Sequence, residues 1–156
     1  MKICVFSDSH GCHEHMVTVI RREDPALFFF LGDGERDLER VCRAFPALPY
    51  YAVRGNCDFR STMSASLTCA VGGVRIFASH GHLLDVKCDP YLEELIAAAR
   101  AARADVALFG HTHRALLKRE GGLTLLNPGS IGRTAKPSYG LLEIENGQLK
   151  AECKVL

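Results

Sequence analysis

Seven histidines fall in three short clusters: His10, His13 and His15; His80 and His82; His111 and His113. Histidines buried for packing need no such clustering, whereas metal sites and acid–base sites do. Aspartate and asparagine accompany them. In chain order come Ser7-Asp8-Ser9-His10-Gly11, Leu31-Gly32-Asp33-Gly34, Arg54-Gly55-Asn56-Cys57-Asp58, Ser79-His80-Gly81-His82 and Phe109-Gly110-His111-Thr112-His113. Asp-x-His and His-x-His put alternate side chains on one side of an extended segment, so one loop can offer two donors to one cavity. The neighbouring glycines allow sharp turns and a close approach of backbone to an ion or phosphate. Asp8, His10, Asp33, Asn56, His80, His111 and His113 make seven candidate donors. Mixed carboxylate and imidazole donors suit manganese, iron, cobalt, nickel or zinc rather than calcium or a thiolate-bound cluster. Seven are too many for one tetrahedral zinc, but they suit two metals if one carboxylate bridges them.

Each of these segments follows an apolar run that reads as a buried strand. Residues 2–7, Ala26–Leu31 and Pro49–Val53 are three such runs, the second without alternation, as for a parallel strand covered on both faces. Between them, residues 14–23 place Met16, Val19, Ile20 and Glu23 at helical spacing, with Asp24-Pro25 as the stop. Leu38, Val41, Cys42 and Phe45 form a second helical stripe. The first third therefore reads βαβαβ, which calls for a parallel sheet. The pattern then changes. Gly72-Gly73 joins the runs 67–71 and 74–79 in a hairpin, and Gly121-Gly122 and Asn146-Gly147 mark two more. Asp89-Pro90 reads as an N-cap with proline at the first helical position, leading into Leu92, Leu95, Ile96, Ala99 and Ala102 on one helix face. Asp105–Phe109 is a further buried strand. The reading is one α/β domain over residues 1–156, without linker, repeat or low-complexity segment. In open α/β sheets ligands bind beyond the carboxyl ends of the strands, so the five polar turns should meet on one rim.

Composition excludes several alternatives. With 156 residues and 47% hydrophobic side chains, the chain can bury a core without disulfides or a structural metal. Nineteen basic against 18 acidic residues, a net charge of +1, exclude a strongly basic nucleic-acid binder, so no stable nucleic-acid partner is expected. No polybasic surface and no apolar run near the ~20 residues of a span point to a membrane. The start, Met1-Lys2-Ile3-Cys4-Val5-Phe6, lacks a signal-peptide layout, and the seven cysteines are scattered and odd in number. Reduced thiols and a cytoplasmic location are the expectation. A homo-oligomer is left open.

The ordered set of five motifs resembles the calcineurin-like metallophosphoesterases, whose blocks run Asp-x-His, Gly-Asp, Gly-Asn-His-Asp/Glu, a His, and Gly-His-x-His. Gly55-Asn56-Cys57-Asp58, Ser79-His80-Gly81-His82 and Asn127-Pro128-Gly129-Ser130 are similar to those of the small prokaryotic phosphodiesterase branch. The resemblance runs from Lys2 to about Glu145. It implies a four-layer αββα sandwich, with two mixed β-sheets flanked by helices. It also implies that Asp8, His10 and His113 hold one metal and Asn56, His80 and His111 the other, with Asp33 bridging. A metal-bridging hydroxide would then be the nucleophile on a small phosphate ester. Two cations lower the pKa of a shared water, neutralise phosphate charge and align the phosphorus, and a phosphate ester uses all three effects. Manganese is the first expectation, with nickel, cobalt, iron or zinc as alternatives.

One departure bears on specificity. Cys57 stands where many phosphomonoesterase relatives place a histidine that protonates the leaving group, which favours a phosphodiesterase. The rival readings are a non-catalytic metal-binding scaffold, like the retromer subunit that resembles this family, and a phosphomonoesterase or nuclease. His82 is open between bonding a substrate phosphate and capping a turn. Asp58 is read as a partner that orients a ligand rather than as a ligand. His13 and His15 are expected to face solvent. Phe28–Phe30, Tyr50, Tyr51 and the cysteines other than Cys57 are expected in the core. Arg54 reads as a solvated charge, and Asn127–Ser130 as an ordinary turn.

Overall fold

The computed structural model describes residues 1–156. In chain order the elements are β1 (Lys2–Phe6), α1 (His13–Glu23), β2 (Leu27–Phe30), α2 (Glu35–Ala44), β3 (Tyr50–Ala52), β4 (Ser66–Val71), β5 (Val74–Ser79), α3 (Glu93–Ala101), β6 (Val106–Leu108), β7 (Ala115–Glu120), β8 (Leu123–Pro128), β9 (Ser138–Glu145) and β10 (Gln148–Val155). They form two five-stranded mixed sheets, ordered β10-β9-β1-β2-β3 and β4-β5-β6-β8-β7. β1, β2 and β3 run parallel, with Val5 opposite Phe29 and Phe29 opposite Tyr51. All three expected hairpins form, as β4–β5, β7–β8 and β9–β10. The last hairpin returns to the first sheet, where β9 lies antiparallel to β1.

Strand periodicity divides the apolar side chains between layers. Ile3, Val5, Leu27 and Phe29 meet Ile76, Ala78, Val106 and Leu108 in the core between the sheets. Their alternates Cys4, Phe6, Phe28 and Phe30 pack against Met16, Val19, Leu38 and Val41 of α1 and α2. Ala107, Leu123 and Leu125 face Leu95, Ile96 and Ala99 of α3 on the far side. The result is the expected αββα sandwich. β2 is apolar throughout because it is buried on both faces.

Three expectations are corrected. The third helix starts at Glu93 rather than after Asp89, because buried Leu92 takes a left-handed conformation (φ 58°) and kinks the chain there. Asp89 still serves that end, its carboxylate accepting from the Tyr91 and Glu93 N–H groups at 2.8 and 2.5 Å. Tyr50 is 47% exposed because β3 is an edge strand, and Cys88 lies exposed in the turn before α3. His15 is half-buried, its Nδ1 donating to the Ile131 carbonyl at 2.8 Å instead of facing water. All seven cysteines are free. No helix is long and apolar enough to cross a membrane.

Candidate metal centre

The five polar turns leave the carboxyl ends of β1, β2, β3, β5 and β6 and are sewn together by their backbones. Asp8 N–H donates to the Gly32 carbonyl at 3.0 Å, His10 to Asp33 at 3.2 Å and Gly110 to His80 at 3.1 Å. Such contact requires glycine where two loops touch. A Cβ on Gly32 would run into the Gly55 backbone, and one on Gly55 into Asp33. Asp8, His10, Asp33, His111 and His113 all have positive φ, between 42° and 67°. Asp and His tolerate this region better than most residues, but each instance still costs on the order of 1–3 kcal/mol. Five such residues in one cluster mark a site where the backbone is bent to aim side chains.

All seven expected donors converge. Asp8, His10 and His113 place one donor atom each within 4.8 Å of one another, as do Asp8, Asp33 and His80. His113 Nε2 lies 3.0 Å from Asp8 Oδ1 and 3.4 Å from His10 Nε2. On the other side His80 Nε2 lies 3.0 Å from Asn56 Oδ1 and 3.2 Å from His111 Nδ1. Asp33 Oδ2 is between the groups, 3.8 Å from His10 Nε2 and 3.6 Å from His80 Nε2.

Three observations fit this arrangement to cations. Asp8 Oδ1 is fully buried without a hydrogen-bond partner, which is costly for a carboxylate oxygen unless a cation satisfies it. Its other oxygen is already engaged, accepting from Ser7 Oγ at 2.5 Å and from His111 N–H at 3.1 Å. His80 Nδ1 donates to the Leu31 carbonyl, 2.7 Å away, which aims Nε2 at Asn56 and Asp33. Burial and then the His80 charge lower the His111 pKa to about 4, leaving a neutral imidazole at physiological pH. Asp8, Asp33, His80 and their neighbours can therefore present several lone pairs and two carboxylates to the same opening.

The support around these groups includes residues that spacing alone could not single out. Asp58 accepts four backbone N–H groups, from Asp33 and Gly55 at 2.8 Å and from Gly34 and Glu35 at 3.0 Å. It clamps the loop after β2 to the loop after β3. Burial alone would raise its pKa, but the four N–H donors outweigh it and hold the carboxyl below its ordinary value. Buried Asp37 accepts from Ser9 Oγ and Gly11 N–H, both at 2.7 Å, and so fixes the Asp8–His10 turn. Asn127 Nδ2 donates to the Gly110 carbonyl at 2.8 Å and to Thr112 Oγ1 at 3.1 Å. Ser130 Oγ donates to the Asp8 carbonyl at 2.8 Å. Asn127, which the sequence placed in a turn, lies buried at the end of β8, and with Ser130 just beyond it braces the loops after β1 and β6. Asp37 and Ser7 gave no spacing signal in the sequence.

Cys57 N–H donates to Asp33 Oδ1 at 2.7 Å, and the exposed side chain faces His10 and Asp33. Partial burial, then the hydrogen bond and charge of Asp33, push the thiol up to about 11. His82 is half-buried, its ring 5.3 Å from that of His80, with Nδ1 buried and unpartnered. Burial first, then the charges of His80 and Arg54, lower its pKa.

Two results are expected from this support. Asp58→Ala should destabilise the fold by about 2–4 kcal/mol, since four N–H groups lose a charged acceptor. Asp58→Asn should cost less, and urea titration separates them. The depressed His111 pKa makes the unfolded chain bind more protons than the native one between its ordinary value and about 4. Stability of the metal-free protein should therefore fall as pH is lowered through that window. His111→Gln should flatten the fall in denaturant midpoints across the same range.

A two-sheet αββα sandwich with carboxylates and imidazoles gathered at its strand ends defines a metallophosphoesterase-type fold and site. The family model for the calcineurin-like phosphoesterase superfamily domain matches residues 1–147, and the chain belongs to that superfamily. It is 36% identical over 152 residues to the probable metallophosphoesterase YsnB of Bacillus subtilis, covering 94% of this chain and 86% of that protein. It is 32% identical over 170 aligned positions to the phosphodiesterase YfcE of Escherichia coli K12, covering 92% and 88%. Among solved structures, a predicted phosphoesterase of Streptococcus pneumoniae superposes with TM-score 0.83 and 28% identity over 99% of this chain and 88% of that one. Vps29 of Entamoeba histolytica, solved with zinc, superposes at 0.80 with 23% identity over 100% and 98%, a likeness of fold.

Proposed function

We propose that this protein is a phosphodiesterase that works with two divalent cations, manganese first among them. Asp8, His10 and His113 would hold one, and Asn56, His80 and His111 the other, with Asp33 shared. The observation that carries this reading is the position of Asp33 Oδ2, less than 4 Å from a ring nitrogen of each trio. When bound, the cations supply Lewis acidity, lowering the pKa of a water and neutralising charge on the phosphoryl oxygens.

The chain's own residues prepare for this. Ser7 and the His111 N–H hold Asp8 Oδ2, leaving Oδ1 for the opening. The Cys57 N–H holds Asp33 Oδ1 and leaves Oδ2 free in the same way. These side chains need no reorganisation when charge develops on the substrate, which is where electrostatic catalysis gains most. His82, beside His80, would bond a phosphate oxygen. All seven donors are present, the condition that favours catalysis over a scaffold role. The phosphodiesterase name of the YfcE relative supports the diester class. Seven free thiols suit a reducing compartment, which supports a cytoplasmic enzyme acting on small esters.

The test is metal analysis after reconstitution, followed by assays on mono- and diesters with added manganese, nickel, cobalt or zinc. Two ions per chain and faster diester turnover are expected. One ion or fewer per chain counts against the shared Asp33, and faster monoester turnover counts against the diester assignment.

A further inference from the structure

An open groove of about 600 Å³ leads away from His10, Asp33 and Cys57, and its walls carry Arg36, Arg40, Arg60 and Phe59. The three arginines are exposed and stand without carboxylate partners. The arginine–carboxylate pairs of the chain are Arg22 with Glu23 and Arg43 with Glu39. Arg40 has one side-chain hydrogen-bond neighbour, His13 Nδ1 at 3.4 Å. Most acidic groups lining the groove are already committed to neighbouring donors. Asp58 holds four backbone N–H groups, Asp37 holds Ser9 and Gly11, and Asp33 holds Cys57. Glu35 is the groove carboxylate without a hydrogen-bond donor, and none of the four lies within ion-pair distance of Arg36, Arg40 or Arg60. The start of α2 is not the attraction for an anion, because Asp58 takes the Gly34 and Glu35 N–H groups.

Phe59 stands in the same wall and is 90% exposed, a flat apolar surface with nothing folded over it. Aromatic side chains so placed stack bases without regard to sequence, and guanidinium forks grip phosphates in two-point contacts. A diester phosphorus at the seven donors would carry one charge and leave the three guanidinium groups without an ion-pair partner.

We propose that Arg36, Arg40 and Arg60 bind a second phosphate of the substrate while Phe59 stacks on its base. The preferred substrate is then a small nucleotide diester that carries a further phosphate. This deepens the diesterase reading and rests on it.

Two chromogenic esters test the idea: para-nitrophenyl thymidylate, and the same compound phosphorylated on its other deoxyribose hydroxyl. With manganese at low salt, the second phosphate should raise kcat/KM at least about tenfold, the gain of one or two charge-assisted hydrogen bonds. Added salt should shrink that ratio. In the combined variant Arg36→Gln, Arg40→Gln and Arg60→Gln the ratio should fall toward one. Phe59→Ala should lower kcat/KM severalfold for both nucleotide esters relative to bis(para-nitrophenyl) phosphate. Equal kcat/KM for the two nucleotide esters in the wild-type protein would overturn the subsite and leave the diesterase reading intact. If the protein cleaves neither nucleotide ester nor bis(para-nitrophenyl) phosphate, the diesterase reading fails; if it cleaves only the latter, that reading stands, and in both cases calorimetric titration decides the subsite separately. Tighter binding of thymidine bisphosphate than of thymidine monophosphate, lost in the combined variant, would uphold it. Equal binding would overturn it.

Discussion

Asp33→Asn is expected to lower diester hydrolysis by at least about 10²–10³-fold, the cost of removing one preorganised electrostatic group. It should be the most damaging single change among the seven donors. Asp33 Oδ1 accepts the Cys57 N–H, and the asparagine carbonyl can keep that bond. The amide nitrogen then takes the place of Oδ2, less than 4 Å from the ring nitrogens of both His10 and His80. On the proposed assignment, a shared carboxylate oxygen would become an N–H donor pointed at the cation positions. Two cations held close together would also lose the negative charge that offsets their repulsion. Asparagine tolerates the positive φ of this position, so the fold should survive. Elemental analysis should therefore show reduced metal content in a folded protein. Asp33→Asn with full metal content and near-normal turnover would remove Asp33 from the shared position.

The candidate donors could be read from the sequence because each follows an apolar strand, where glycine and polarity interrupt the run. Parallel β1, β2 and β3 then bring their ends to one rim without further information. Side chains that brace the donors were harder to see. Asp37 lies on α2 among charged residues, and only tertiary structure turns it inward to Ser9 and Gly11. Asn127-Pro128-Gly129-Ser130 has the composition of any surface turn, yet Asn127 ends β8 and both it and Ser130 are buried against the loops after β1 and β6. The return of β9 and β10 to the first sheet was equally hidden, since hairpin signals carry no record of which strand they will join. The start of α3 was misplaced for a local reason. Asp89-Pro90 has the composition of a cap, but burial of Leu92 imposed a kink that propensity does not describe.

Exchanging Cys57 for histidine should raise phosphomonoesterase activity selectively, by about tenfold or more toward the ~10²–10⁴-fold typical of a positioned general acid. A natural monoester has a poor alkoxide leaving group and needs a proton as the bond breaks. An aryl diester expels a phenolate and depends on it far less. The thiol at position 57 is a poor proton donor: burial and Asp33 push it up to about 11 in the metal-free protein, far above the operating pH, and cations bound beside it would favour its thiolate, which has no proton to give. It nevertheless stands where a donor would be useful, at the mouth of the groove beside His10 and Asp33. An imidazole there would titrate nearer neutrality, while the backbone N–H that holds Asp33 Oδ1 would be kept. Cys57→Ala keeps that N–H as well, so aryl diester turnover should stay within a few-fold of the wild-type protein. Side-by-side kinetics on an alkyl monoester and an aryl diester at saturating manganese make the comparison. Loss of diester hydrolysis in Cys57→Ala with full metal content would show that the thiol itself, rather than its backbone, serves the reaction.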